Sequence, residues 1–132
     1  MVEPGFRTLL ATDTAVTAVV GDRIYQQVKP QDAPSPCIVL TRVSTSYIRQ
    51  INGVAGATRG RMQVDVFGPS YQVAKELAEK VRSRLDRFTG DVAGTRFKYV
   101  LADDERDLPA APLEGQATPL FAVSIDFRFL HA

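Results

Sequence analysis

The sequence predicts an α+β fold: an antiparallel sheet of four to five strands, with one long amphipathic helix and short amino-terminal helices packed on one face. Three observations carry that expectation. Residues 37–47, CIVLTRVSTSY, are rich in β-branched and aromatic side chains, which suit a pleated, half-buried surface. LFAVSIDFRFL near the carboxyl end places Phe121, Val123, Ile125, Phe127 and Phe129 on one face and Ser124, Asp126 and Arg128 on the other, the period of two that marks a core strand. Between these two runs Tyr71, Ala74, Leu77, Ala78, Val81, Leu85 and Phe88 recur at spacings of three and four and build one apolar helical stripe. Hairpin-like neighbours around a single strong helix make the class α+β rather than a parallel doubly wound sheet.

The totals bound the rest. A chain of 132 residues suits one domain spanning 1–132 with a single core. Sixteen basic against fifteen acidic residues leave a net charge of +1, which argues against a dedicated nucleic-acid binder, because such affinity needs clustered cations that release counterions from phosphates. Cys37 is the only cysteine, so no intrachain disulfide forms, and its Ile-Val-Leu neighbours predict a buried, apolar thiol. The start, MVEPGFRTLL, has an acid where a signal peptide needs basic residues, and lacks its apolar region. No window approaches the ~20 apolar residues that span a bilayer. Synthesis in the cytoplasm and no membrane partner are the expectation.

Along the chain, residues 4–20 read as short helical turns, with Leu9, Leu10, Val16, Val19 and Val20 as apolar positions, Thr12 or Asp13 as a cap and Gly21 as the end. RIYQQV follows as an edge or connecting strand, and Pro30, Pro34 and Pro36 make 29–36 a loop. In the strand at 37–47, Val39, Thr41, Val43, Thr45 and Tyr47 are expected on one face. RQINGVAGATRG reads as a glycine-rich hairpin arm, and GRMQVDVFG as a strand with Met62, Val64 and Val66 opposite Gln63 and Asp65. Pro69 and Ser70 start the long helix, which is expected to run to Phe88 and stop at Gly90. Pairs such as Glu76 with Lys80 and Arg82 with Asp86 would add ~0.2–0.5 kcal/mol each. RFKYVLAD is a further strand with Phe97, Tyr99 and Leu101 on one side, and 103–119 is expected to be a long structureless connection of the kind that carries function.

No reactive constellation is legible. His131, the single histidine, stands one residue from the end of the sequence, where fraying is expected, and one Cys with one His cannot supply a structural zinc set. Asp103, Glu105, Asp107 and Glu114 fall at calcium-loop positions, but Leu108 and Pro109 stand where the turn needs glycine and a carbonyl ligand, so they read as solvated acids. Gly53, Gly56 and Gly60 lack the Lys-Ser/Thr of a phosphate loop and precede a strand rather than a helix. Tyr25 and Tyr47 read as packing residues. No catalytic residue, metal ligand or cofactor is expected. The arm is basic through Arg49, Arg59 and Arg61, which leaves contact with an acidic partner or a phosphate backbone open.

TAVVGDRIY, the proline-led strand SPCIVLTRVS and the junction GRMQVDVFGPSYQVAKELAEKVRSRLD together resemble the tail completion (tail terminator, tail-to-head joining) proteins of long-tailed bacteriophages, over about residues 5 to 90, with a weaker echo in the closing strand. The most distinctive parts are Gly21-Asp22-Arg23-Ile24-Tyr25 and MQVDVFGPSYQVA. The resemblance implies a virion structural protein, not an enzyme. It would form a six-membered ring on the head-proximal end of the tail tube, halt tube polymerisation and offer a docking face to the head-tail connector, while genome DNA passes through without specific binding. A ring needs head-to-tail interfaces that close, and two projecting segments are expected to make them: Arg49, Ile51, Val54, Arg59 and Arg61 on the arm, and Asp103, Asp104, Glu105, Arg106 and Leu108 on the long connection. The alternatives are a head-closure or neck adaptor and a nucleic-acid module using Arg42, Arg49, Arg59 and Arg61.

Overall fold

The computed structural model describes residues 2–27, 36–48, 57–111 and 120–132. Among these, three helices, α1 (Glu3–Ala11), α2 (Thr14–Val20) and α3 (Tyr71–Leu85), lie against six strands: β1 (Ile24–Gln26), β2 (Cys37–Tyr47), β3 (Thr58–Gly68), β4 (Phe88–Val92), β5 (Thr95–Ala111) and β6 (Leu120–His131). The strand order is β1-β2-β3-β6-β5-β4, and the sheet curls into a half-barrel. The α+β class holds, but the sheet is larger than expected and mixed, because β1 joins β2 in parallel while the other neighbouring pairs are antiparallel.

The Gly-Asp-Arg stretch explains how β1 is placed. Asp13 caps α2 by accepting a hydrogen bond from the Ala15 N–H at 3.0 Å, and Gly21, at φ 60°, turns the chain out of the helix. Arg23 then donates from Nη2 to the Val19 carbonyl and from Nε to the Pro36 carbonyl, at 3.1 and 2.8 Å. One guanidinium thus closes the end of α2 and fixes the entry to β2, so the motif is framework.

α3 starts where the sequence places it, with Ser70 Oγ accepting from the Val73 N–H at 3.3 Å. It stops at Leu85, three residues before the expected end, because Arg87 adopts φ 65° and donates its N–H to the Val100 carbonyl. Phe88 therefore opens β4 instead of extending the helical stripe, and Gly90 lies inside that strand. The Asp86 carboxylate accepts from the Ala102 N–H at 2.8 Å, so its work is to seat β5. Ala93 and Gly94, both at positive φ, form the two-residue turn from β4 to β5, the geometry that matches strand twist.

Two strands change faces part-way. β2 shifts register between Arg42 and Ser44, so Val39 and Thr41 face away from the helices, whereas Thr45 pairs with Gly60 on the helical side. The single face expected for Val39 to Tyr47 does not exist; a bulge inserts one residue and resets the alternation. β5 shifts between Phe97 and Tyr99, which sends Phe97 and Val100 into the core and Tyr99 to the open face. Tyr47 is 70% exposed, contrary to the packing role expected of it. The segment 103–111, expected to lack structure, continues β5 along β6. His131 does not fray: it pairs with Thr58 and Phe97 as the last residue of β6, and its ring stacks on Phe129 at 6.0 Å.

The core lies between the helices and one face of the sheet. Met62, Val64, Val66, Val123, Ile125, Phe127 and Phe129 meet Leu77, Ala78, Val81 and Leu85 of α3 and Phe6, Leu9 and Leu10 of α1. Phe6 sits at the centre of an aromatic cluster, with ring centroids 5.6 Å from Phe97 and 5.8 Å from Phe129, distances typical of edge-to-face pairs. Two glycines permit these approaches: a Cβ at Gly5 would collide with the Phe97 ring, and one at Gly60 with the Ser44 carbonyl and the Phe129 ring. Cys37 is buried. Truncating the cluster, as in Phe129→Ala, is expected to cost about 3–5 kcal/mol, read as a lowered urea midpoint at unchanged m-value.

Candidate functional site

The face of the sheet turned away from the helices carries a patterned set of charges, built by register. Arg61 of β3 stands directly opposite Arg128 of β6, a like-charge pairing that destabilises a ladder if left alone. Asp103 of β5 resolves it: one carboxylate oxygen meets Arg61 Nη1 at 2.9 Å and the other meets Arg128 Nε at 3.3 Å. One step along the strands the signs invert. Asp104 and Asp126 are register partners, and Arg106 Nη1 sits between them, 3.0 Å from Asp126 and 3.5 Å from Asp104. Arg106 Nη2 also reaches the Gln63 side-chain oxygen at 3.5 Å, and Gln63 donates to Asp65. The hydrogen bond to Asp126 holds the Arg106 guanidinium still more firmly in its charged form.

A second cluster joins α3 to the outer part of β5. Tyr71 Oη donates to Asp107 at 2.9 Å, and Lys75 Nζ donates to the other oxygen of Asp107 at 3.0 Å while lying 3.7 Å from Glu105. The Lys75 ammonium, and after it the Tyr71 hydroxyl, hold the Asp107 carboxyl below the usual carboxylate range; the same bond raises Lys75.

The residues singled out in the sequence are thus distributed unevenly. Arg49, Ile51 and Val54 lie outside the described residues. Arg59 and Arg61 fall on the open face of β3, and Asp103, Asp104 and Arg106 on the open side of β5, so Arg61 and Asp103, read as members of separate projecting segments, are joined within one sheet. Glu105 and Asp107 turn to the helical side, and Leu108 is half-buried. Arg128, Asp126 and Gln63 complete the network and were not singled out. Their alternation with apolar residues marked the wet face, but only the register with β5 and β3 shows which charges meet. A shallow depression lined by Ser44, Ser46, Arg59, Arg61, Tyr99 and Arg128 lies at the end of this face. Among the described residues no group of three or more His, Cys, Asp or Glu side chains is placed to hold a metal ion, and no helix is long and apolar enough to cross a membrane. What the arrangement offers chemically is charge and hydrogen-bonding surface.

The depressed carboxyl and raised ammonium set a pH window. Stabilisation from Asp107 is complete above the unfolded carboxyl pKa and is lost as pH falls through the folded one; that from Lys75 is complete below the unfolded lysine pKa and is lost as pH rises through the folded one. Asp107→Asn is therefore expected to lower the urea midpoint at neutral pH, with the gap to wild type closing as pH falls through the lowered folded carboxyl pKa.

Comparison with known proteins supplies two findings. The family model described as "Tail completion protein gp17" matches residues 5–132. Among solved structures, a chain from "Virion of native gene transfer agent (GTA) particle" superposes with a TM-score of 0.71 at 15% sequence identity, covering 96% of this chain and 91% of that one; at that identity the likeness is one of fold. No curated protein matches the sequence.

Proposed function

The chain belongs to the tail completion protein gp17 family, a phage virion structural family rather than an enzymatic one, and from that premise we propose that it closes the head-proximal end of the tail tube as a ring of six copies. In this reading the ring stops tube polymerisation, presents one face to the tail tube protein and the other to the head-tail connector, and lets genome DNA pass without reading its sequence.

One observation supports the reading best: although Arg42, Arg61, Asp103 and Asp107 are paired within the chain, a basic segment and an acidic one each leave a charged side chain exposed, Arg59 on the open face of β3 and Asp104 on that of β5. Residues 41–61 contain Arg42, Arg49, Arg59 and Arg61 and no acid, whereas 103–107 contain Asp103, Asp104, Glu105 and Asp107 against Arg106 alone. A ring built by rotation brings one end of each copy against the other end of the next, so its two contact surfaces must differ and complement each other. Arg49, Ile51, Val54 and Arg59 on the basic side and Asp104, Glu105 and Leu108 on the acidic side are the proposed contacts. Opposite fields at such a boundary also steer association and suppress like-with-like pairing.

Charge reversal tests this directly. Arg49→Glu with Arg59→Glu, or Asp104→Lys with Glu105→Lys, is expected to abolish ring formation by light scattering while leaving the circular dichroism spectrum intact, and mixing the two variants should restore mixed assemblies. Tails assembled with either variant alone should be of uncontrolled length in negative-stain images. Rings of normal size from both variants separately would refute the assignment.

A further inference from the structure

Among the described residues the sheet ends in two unpaired stretches of strand, and they are matched. β1 covers only the first part of β2, from Ile24 opposite Ile38 to Gln26 opposite Leu40, and the Gln27 N–H takes the Leu40 carbonyl. Beyond that point Thr41–Tyr47 has no strand on its outer side among the described residues. At the other end β4 covers β5 only from Thr95 to Val100, after which the Asp86 carboxylate takes the Ala102 N–H. From Asp103 onward β5 likewise has no outer neighbour among the described residues. A long open edge invites another strand, and proteins that must stay monomeric blunt theirs with lysine, proline or cover. The β2 edge shows the reverse: Val43, Tyr47 and Ile48 are 54%, 70% and 39% exposed, and the one other large apolar side chain exposed to this degree among the described residues, Tyr71, stands beside the β5 edge on Asp107.

Direction and position also agree. The alternation through β3 and β6 makes β2 and β5 antiparallel within the sheet, so a neighbouring copy in the same orientation offers its β5 antiparallel to β2. The free part of β2 lies at the end of the sheet marked by Thr58 and His131, and the free part of β5 at the end marked by Leu120. Joining them steps each copy along the strand axis, the stagger that tilted strands need in order to close a barrel. Resting on the ring reading above, we propose that Thr41–Tyr47 of one copy and Asp103–Leu108 of the next form an antiparallel intermolecular β-ladder, which makes the sheets of the ring continuous. Asp103–Leu108 carries four acids against Arg106 and Thr41–Tyr47 carries none, so β5 meeting β5 is disfavoured by like charge while β5 meeting β2 is not.

Backbone alternation names the amides to watch. The Ile48 N–H donates to the Ala57 carbonyl, so the N–H groups of Thr45 and Tyr47 point outward. On β5 the shift between Ala102 and Asp104 places those of Glu105 and Asp107 outward. Hydrogen exchange on the assembled wild-type ring is expected to slow these four amides at least about a hundredfold relative to dilute monomer. Thr45→Pro, a substitution that a free edge tolerates, is expected to keep the monomer folded and abolish the ring. A wild-type ring whose four amides exchange as in the monomer overturns the ladder and leaves the ring standing, as does normal ring formation by a folded Thr45→Pro chain. Protection that is absent in a ring already formed and appears only when tail tube protein is added to that ring also overturns it, because the occupant is then not a second copy. Wild-type protein that stays monomeric and leaves tails uncapped overturns the ring itself. If Thr45→Pro fails to fold, the wild-type exchange measurement decides.

Discussion

The pairing of β3 with β6 is the constraint on which the rest depends. Eleven consecutive partners, from Thr58 with His131 to Gly68 with Phe121, run without a bulge, while the contacts on either side, β2 with β3 and β5 with β6, both contain shifts. Because side chains alternate with a period of two, a slip by one residue would exchange the faces of a strand. Phe127 and Phe129 would then point to solvent and Asp126 and Arg128 into the helices. The unbroken central pair forbids that error, and it lets the bulges on either side adjust curvature without losing the core.

The open face follows from the same register. Two arginines share one aspartate, and two aspartates share one arginine, so the middle of the face is neutralised inside the chain. Each exposed pair contributes little by itself; their joint effect is to leave free charge only at the margins. Arg59 has no ion-pair partner among the described residues, and the Asp104 side chain is 63% exposed.

Much of this was legible in the sequence, and the exceptions have physical causes. β2, β6 and the start of α3 were readable because β-branched runs, strict alternation and a serine cap are local signals. β4 was missed because its turn uses Ala93-Gly94, a weaker signal than asparagine-glycine, and because Phe88 fits the helical stripe as well as it fits a strand. The end of α3 is set by Arg87 meeting the Val100 carbonyl, a tertiary contact with no local signature. The acids at 103–107 looked like a loop because five charges in a row suppress strand propensity, yet Asp103 meets Arg61 and Arg128, Asp107 and Glu105 meet Lys75, and Arg106 reaches Asp126 only once β3, β6 and α3 are in place. The charge network was half visible: the wet face could be assigned, but which arginine meets which aspartate depends on two bulges that composition does not announce.

The strand order has a further consequence for how the molecule is made. β6 lies in the middle of the sheet but is the last strand in the sequence, and it alone joins β1-β2-β3 to β5-β4. During translation the two partial sheets leave the ribosome with no central staple, and their phenylalanine-bearing faces stay uncovered until Leu120 and the residues after it emerge. Sequence-distant pairing of this kind folds slowly and exposes sticky intermediates. A product cut short before β6 has no way to complete the sheet, and its two partial sheets keep apolar faces open to aggregation.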